Sequence, residues 1–248
     1  MKISVVPLQP EYKILLDKYP PVPSNKFLPD WYKNMKRGNK IDMYLNNVDG
    51  RTTGYNAKNC PAIQDTLSSG FIIPMWSDLA YNKFDIETGD VTNQVDSYYL
   101  STPDGIKDAK LTDFLTSHEA WQIGEMPINV LSNNILLKLT VPYRFIVPEG
   151  YSIFYSDPFY HFRNDLRCLT GDVEADKWGS ITFPFHTLSD KFLLQAGTPL
   201  VHAHVYKRKT SEVELDIRDA TEQEEADWYG KWFTYQNERI QYKTLPDK

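Results

Sequence analysis

Cysteine is scarce: Cys60 and Cys168 are the only two in 248 residues. Two thiols cannot staple a chain of this length, which excludes a disulfide scaffold and points to a reducing, cytosol-like compartment. Long apolar runs are also missing. No segment approaches the about 18 consecutive apolar residues of a membrane-spanning helix, and the apolar stretch in MKISVVPLQPEYK is too short for a secretory leader. Positive charge is in deficit, since 27 Lys and Arg stand against 33 Asp and Glu for a formal charge of −6. That balance leaves no electrostatic footprint for sequence-independent nucleic-acid binding. The common catalytic signatures are absent too: no phosphate-binding Walker loop, Gly-x-Ser-x-Gly elbow, His-Glu-x-x-His pair or dinucleotide fingerprint occurs.

What remains is a core-forming composition. Hydrophobic residues make up 41% and aromatics 14%, with Tyr (16), Phe (12) and Trp (6) favouring half-buried β faces. After an expected strand at Lys2–Leu8, residues 1–55 look irregular. Pro20, Pro21, Pro23 and Pro29 fix φ and remove donors, so this stretch is expected to be an arm over a core, anchored by Phe27, Leu28, Trp31 and Tyr32. Its alternative role is to reach a neighbouring subunit. Lys58–Ser69 reads as a short helix, with Pro61 near its start and Gly70 after its end.

From residue 56 to 217 the pattern is β-rich. Gly70–Trp76 reads as a buried strand, and Thr88–Asp90 as a hairpin turn between Asn82–Ile86 and Val91–Leu100. Leu111–Trp121 is expected to be helical. Six short runs follow at 134–141, 143–147, 151–154, 180–185, 192–195 and 199–207. They are separated by turn signals such as Pro148-Glu149-Gly150 and Ala196-Gly197. Their close spacing predicts a mainly β fold, an antiparallel jelly roll or distorted β-barrel. The period changes at Thr221–Tyr242, where Trp228, Trp232 and Tyr235 form a helical stripe, with Phe233 and Ile240 beside it. Thr221 and Glu224 fit a capping box at its start. This amphipathic helix either packs on the core or docks on a partner. The absence of repeats and linkers suggests a single domain.

Gly171-Asp-Val-Glu-Ala-Asp-Lys-Trp-Gly-Ser180, followed by Phe192-Leu-Leu-Gln-Ala-Gly-Thr-Pro-Leu-Val201, resembles the heart of the dUTPase and dCTP-deaminase jelly roll. Gly171, Val173, Asp176 and Gly179 fall in register with that family's hairpin, Gly197 lies at the matching distance, and Pro148-Glu-Gly-Tyr151 resembles its upstream turn. The likeness covers residues 148–205 and implies the topology. The chemistry departs from the family. Glu174 stands where its hairpin Asp orients the attacking water, and Lys177 replaces the Tyr that packs on the deoxyribose. Phe154-Tyr-Ser-Asp-Pro-Phe159 takes the place of its phosphate loop. Glu174, Asp176 and Lys177 are nevertheless the candidate ligand-pocket residues.

A broader resemblance rests on Leu28-Pro-Asp-Trp-Tyr-Lys33, Lys58-Asn-Cys-Pro-Ala-Ile-Gln-Asp65, Gly70-Phe-Ile-Ile-Pro74, Thr182-Phe-Pro-Phe185 and Gly197-Thr-Pro-Leu200. Together these are similar to a family encoded by marine tailed phages, cyanophages above all, with bacterial relatives. The resemblance implies a phage-type origin and carries no activity with it. The partners it implies are copies of the chain or other phage or host proteins. The location it implies is the host cytoplasm, with incorporation into the virion.

The histidines offer an enzymatic alternative. His202 and His204 form His-x-His on an expected strand, whose period of two places both rings on one face. Such a pair can bind a divalent metal (Fe, Mn or Zn), with His186 or His161 as a third ligand and Glu174 or Asp176 supplying a carboxylate. The opposing reading is a packed or solvated pair. Cys60 before Pro61 is either a thiolate at a helix start or a structural thiol. Cys168 is read as buried, Lys207-Arg208-Lys209 as a solvated strand end, and Asp42, Asp49 and Arg51 as part of a polar loop without ligand spacing. Two functional classes stay foremost: a non-enzymatic virion, assembly or host-interaction protein, and a jelly-roll enzyme or small-molecule binder working through His202 and His204; a nucleotide-binding, dUTPase-like protein is the third.

Overall fold

The computed structural model describes residues 2–36, 56–82, 97–100, 114–118, 122, 126, 136–189, 191–208 and 215–231. The chain divides into two compact units. One comprises Met1–Pro29 with Leu67–Arg208, and the other Asp30–Thr66 with Lys209–Lys248.

The first unit is built from β1 (Ser4–Pro7), β2 (Val22–Pro23), β3 (Phe71–Pro74), β4 (Leu79–Asn82), β5 (Ser97–Leu100), β6 (Leu115–Ser117) and β7 (Leu136–Thr140). It continues through β8 (Tyr143–Ile146), β9 (Tyr151–Ser156), β10 (Leu166–Cys168), β11 (Gly171–Val173), β12 (Thr182–Thr187), β13 (Lys191–Leu194) and β14 (Pro199–Lys207). Every pairing among them is antiparallel. The sheets run β11-β9-β14-β3-β2, β10-β12-β7-β6, β13-β4-β5 and β1-β8.

The mainly β expectation therefore holds, and the distorted-barrel alternative is corrected. The two larger sheets end on strands of two or three residues, namely β2, β11, β10 and β6. Closure needs continuous neighbours all the way round, and strands this short end the ladder instead. The expected helix at Leu111–Trp121 is corrected as well, because Leu115–Ser117 pairs with Leu139–Leu137 of β7. Phe114 and Leu115 are buried beside that contact, and long-range pairing overrides a local helical spacing. The expected hairpin at Thr88–Asp90 lies outside the described residues.

Alternation explains the strands. In β8, Tyr143 and Phe145 are buried while Arg144 and Ile146 are exposed, and in β12 Phe183, Phe185 and Thr187 point inward. Pro184 sits in β12 between two neighbours, where proline normally breaks a ladder. Here β10 ends at Cys168, opposite Phe185. The donor that Pro184 lacks thus falls past the end of β10, while its carbonyl still accepts from Leu169 N at 2.9 Å. Tyr155 of β9 and Phe183 of β12 meet edge to face, centroids 4.9 Å apart, and join the two larger sheets in one core. Tyr12 and Leu15, around a helix at Lys13–Lys18, belong to the same core. The N-terminal stretch thus contributes buried side chains and its own short elements.

The second unit holds a helix at Asp30–Asn34 with Tyr32 buried. Lys58 Nζ donates to the carbonyls of Lys33 and Met35 at 3.2 and 3.0 Å, satisfying acceptors at that helix's C-terminal end. The helix expected at Lys58–Ser69 forms over the shorter span Pro61–Ser68, with Pro61 as its first residue. At the C-terminus, residues 222–231 are helical. Thr221 N donates to Glu224 Oε2 at 2.8 Å and Glu224 N donates to Thr221 Oγ1 at 3.3 Å, the reciprocal pair expected of a capping box. Every described residue of 215–231 is exposed. Trp232, Phe233, Tyr235 and Ile240 lie outside the described residues, as do Asp42, Asp49 and Arg51.

Candidate functional site

His202 and His204 lie on β14, the middle strand of the five-stranded sheet. His202 is in register with Ile72 of β3 and Ser156 of β9, and His204 with Phe154 of β9. The two-residue period places both imidazoles on one face, as expected, and there they stack. Ring centroids are 4.5 Å apart and the planes differ by 24°.

Each side chain is held from several directions. His202 is 1% exposed, and its Nε2 lies 2.7 Å from the Ser69 carbonyl oxygen. A carbonyl only accepts, so this contact fixes the tautomer with the proton on Nε2. Burial pushes the His202 pKa down to about 4, against a smaller upward pull from the Ser69 carbonyl. Phe159 turns its ring onto His202, centroids 4.7 Å apart. Gly70 supplies the floor: its φ is +72°, and a Cβ there would overlap the Ala203 carbonyl oxygen and press on the His204 ring.

The loop carrying Phe159 is strained. Tyr160 and Phe162 have φ of 63° and 48°, a left-handed conformation that costs an ordinary L residue about 1–2 kcal/mol. Arg163 anchors it by donating through Nε and Nη2 to both oxygens of Asp165, at 2.9 and 2.8 Å, and through Nη1 to the Pro199 carbonyl at 2.7 Å. Leu188 N and Ser189 N then donate to the Asp165 carbonyl. His161, in the same loop, adds a repulsive influence on His202, and His204 adds another.

The stacking limits what the pair can do with a metal. An ion bound by imidazole lies in the ring plane, about 2.0–2.1 Å from nitrogen. Two planes stacked this closely and this nearly parallel share no point at that reach, so chelation would require one ring to turn. His186 does not join them. It sits on β12 between Arg167 of β10 and Leu136 of β7, in the four-stranded sheet. Among the described residues, no three His, Cys, Asp or Glu side chains are grouped to hold a metal ion.

Glu174, Asp176 and Lys177 do come together, and Arg208 joins them. Arg208 Nη1 and Nη2 donate to Asp176 Oδ1 and Oδ2 at 2.8 and 2.6 Å, and Gly150 N donates to Oδ2 at 2.7 Å. Arg208 N donates back to the Gly150 carbonyl at 2.8 Å, and Nη1 reaches the Tyr151 carbonyl, also at 2.8 Å. Arg208 first, then Gly150 N, holds the Asp176 carboxyl well below its ordinary range. Lys177 Nζ lies 2.5 Å from Glu174 and lowers that carboxyl too. The constellation is a clamp that ties the 174–178 turn to Gly150 and to the end of β14. Cys168 is buried, and desolvation pushes its thiol well above the ordinary value, leaving little thiolate.

Sequence reasoning missed three participants. Arg208 reads as a solvated strand end, Ser69 meets His202 through its backbone carbonyl, and Phe159 lies on a loop. Arg208 alone carries a signal: it follows the last residue of an expected strand, and the turn it meets holds Asp176, which the sequence offers as a pocket residue. No protein-family model matches the chain, and no curated protein shows significant similarity to it.

Proposed function

We propose that the chain is a phage-type jelly-roll protein that acts through contacts with other proteins, as a virion component or an assembly or host-interaction factor in the host cytoplasm. The observation that carries this reading is the commitment of His202 and Asp176, among the described residues, to the fold. The His202 proton is directed at Ser69, and both Asp176 oxygens are taken by Arg208 and Gly150. A catalytic or metal-binding group needs a free lone pair or proton aimed at open space. The jelly-roll assignment is supported by two antiparallel sheets that share one core, by the strand at Gly171–Val173 and by the turn at Gly150, both within the resemblance over residues 148–205. Fold alone assigns no activity.

A second reading, a small-molecule binder or metal-dependent enzyme using His202 and His204, is favoured by one observation. The strained loop bearing Phe159, Tyr160 and Phe162 lies against the histidine pair, and strain of this kind gathers at binding sites.

A thermal-shift series on the tag-free chain with Fe(II), Mn(II), Zn(II), Ni(II) and deoxynucleotides separates the two. A ligand that binds only the folded state stabilises it by about 2.7 kcal/mol at one hundred times its dissociation constant. The structural reading predicts no shift with any of them, and recovery of the chain in purified particles would then assign the virion role within it. A shift with one metal that disappears in His202→Ala/His204→Ala would establish the second reading instead.

A further inference from the structure

Residues 215–231 combine three properties that a solvated tail does not need together. Leu215, Ile217, Trp228 and Tyr229 are 78%, 91%, 59% and 67% exposed. Six carboxylates stand against two cations within these 17 residues. The backbone beneath them is also pinned. Arg218 Nε donates to Asp216 Oδ2 at 2.9 Å, and its Nη1 and Nη2 donate to Glu224 Oε2 and Oε1 at 2.8 and 2.7 Å. Nη1 also reaches the Asp219 carbonyl at 3.0 Å. With the capping box, this folds the segment at 215–220 back onto the first turn of the helix. An open hollow of about 560 Å³ results, lined by Asp216, Arg218 and Glu224 of the clamp together with Trp228 and Tyr229.

We propose that this hook is a docking surface for a cationic segment of another protein, one that carries aliphatic residues between its Arg or Lys side chains. The aliphatic groups cover Leu215 and Ile217. A guanidinium or ammonium group settles against Trp228 or Tyr229, where a ring face attracts a cation. The surrounding carboxylates Asp219, Glu222, Glu225 and Asp227 supply long-range attraction. The charge argues against a second copy in the same place, because the copy's hook would bring the same carboxylates and the whole chain is at −6. The Arg218 clamp and the cap hold the apolar groups outward in advance, which lowers the ordering cost of association. This inference rests on the interaction reading above and names the class of partner.

The test uses the full-length chain and a dye-labelled 12-residue peptide of alternating Arg and Leu, followed by fluorescence anisotropy. Parallel peptides replace Arg with Glu, or Leu with Gly. Binding of the Arg–Leu peptide is expected, weaker at higher salt, with the dissociation constant raised at least ~10-fold by Trp228→Ala/Tyr229→Ala and raised also by Arg218→Gln. Trp228 and Tyr229 are exposed, so the thermal midpoint of the double variant should stay in place as a check on folding.

The proposal is overturned if the Arg–Leu peptide does not bind, if the Arg–Gly peptide binds as tightly, or if the double variant binds unchanged. It is overturned equally by a concentration-dependent dimer that the double variant abolishes, since the occupant would then be a second copy. A metal shift at His202 and His204 would defeat the non-enzymatic reading without moving the peptide result, so the two failures are distinguishable.

Discussion

His202 and His204 face each other ring to ring, 4.5 Å between centroids, while the outer edge of His202 is fastened to a carbonyl 133 residues earlier in the chain. The pair belongs to the packing of β3, β9 and β14. The chemistry of His202 is that of a buried, neutral imidazole whose proton is already placed.

That state makes stability depend on pH with a definite sign. The unfolded His202 takes up a proton near 6.5, whereas the folded one resists until about 4. Its contribution is complete above about 6.5, falls as the pH drops through the interval, and levels off below about 4. The gap corresponds to a loss on the order of 3 kcal/mol. Urea denaturation between these limits should show the loss, and His202→Leu should flatten the slope even where it lowers stability throughout. An unchanged slope in His202→Leu would show that His202 does not titrate in this way.

Two glycines separate backbone strain from collision. Gly70 and Gly150 have φ of +72° and +80°, but only Gly70 faces atoms that a Cβ would strike. Gly150→Ala should cost about 1–2 kcal/mol, the left-handed penalty alone. Gly70→Ala should cost at least about 2 kcal/mol more, because it displaces the Ala203 backbone and the His204 ring. Equal destabilisation of the two variants in denaturant titrations would mean that the close approach of Gly70 to β14 is not the constraint.

The Asp176–Arg208 clamp predicts a non-additive pair. Asp176→Asn and Arg208→Gln should each lower the urea midpoint, and the double variant should be no less stable than the worse single one. The clamp needs an ionised carboxylate. Its stabilisation is therefore present above the ordinary carboxylate range near 3.8 and is lost as the pH falls through the depressed value that Asp176 has in the fold. Additive effects across the cycle would show that the two side chains act separately.

What could be read from the sequence follows its local periodicities. Pro199–Lys207 appears as a strand with the expected bounds, Tyr151–Ser156 and Lys191–Leu194 within one or two residues, and the Thr221–Glu224 cap by its spacing. His202 and His204 share a face because a strand's period requires it. What could not be read are the partners. Ser4 opposite Ile146, Leu115 opposite Leu139, and Asp176 against Arg208 join residues that no local window contains. The same limit left His202 ambiguous, since its partner is a backbone carbonyl and every residue type has one.

The most direct measurement is a calorimetric titration of Zn(II) into the tag-free chain at neutral pH, run beside His202→Ala/His204→Ala. With the imidazoles stacked and His202 tied to Ser69, the wild-type chain and the double variant should give the same weak, non-saturating heats. A one-site stoichiometric isotherm in the wild type that vanishes in the double variant would contradict the account and make the histidine pair a metal site.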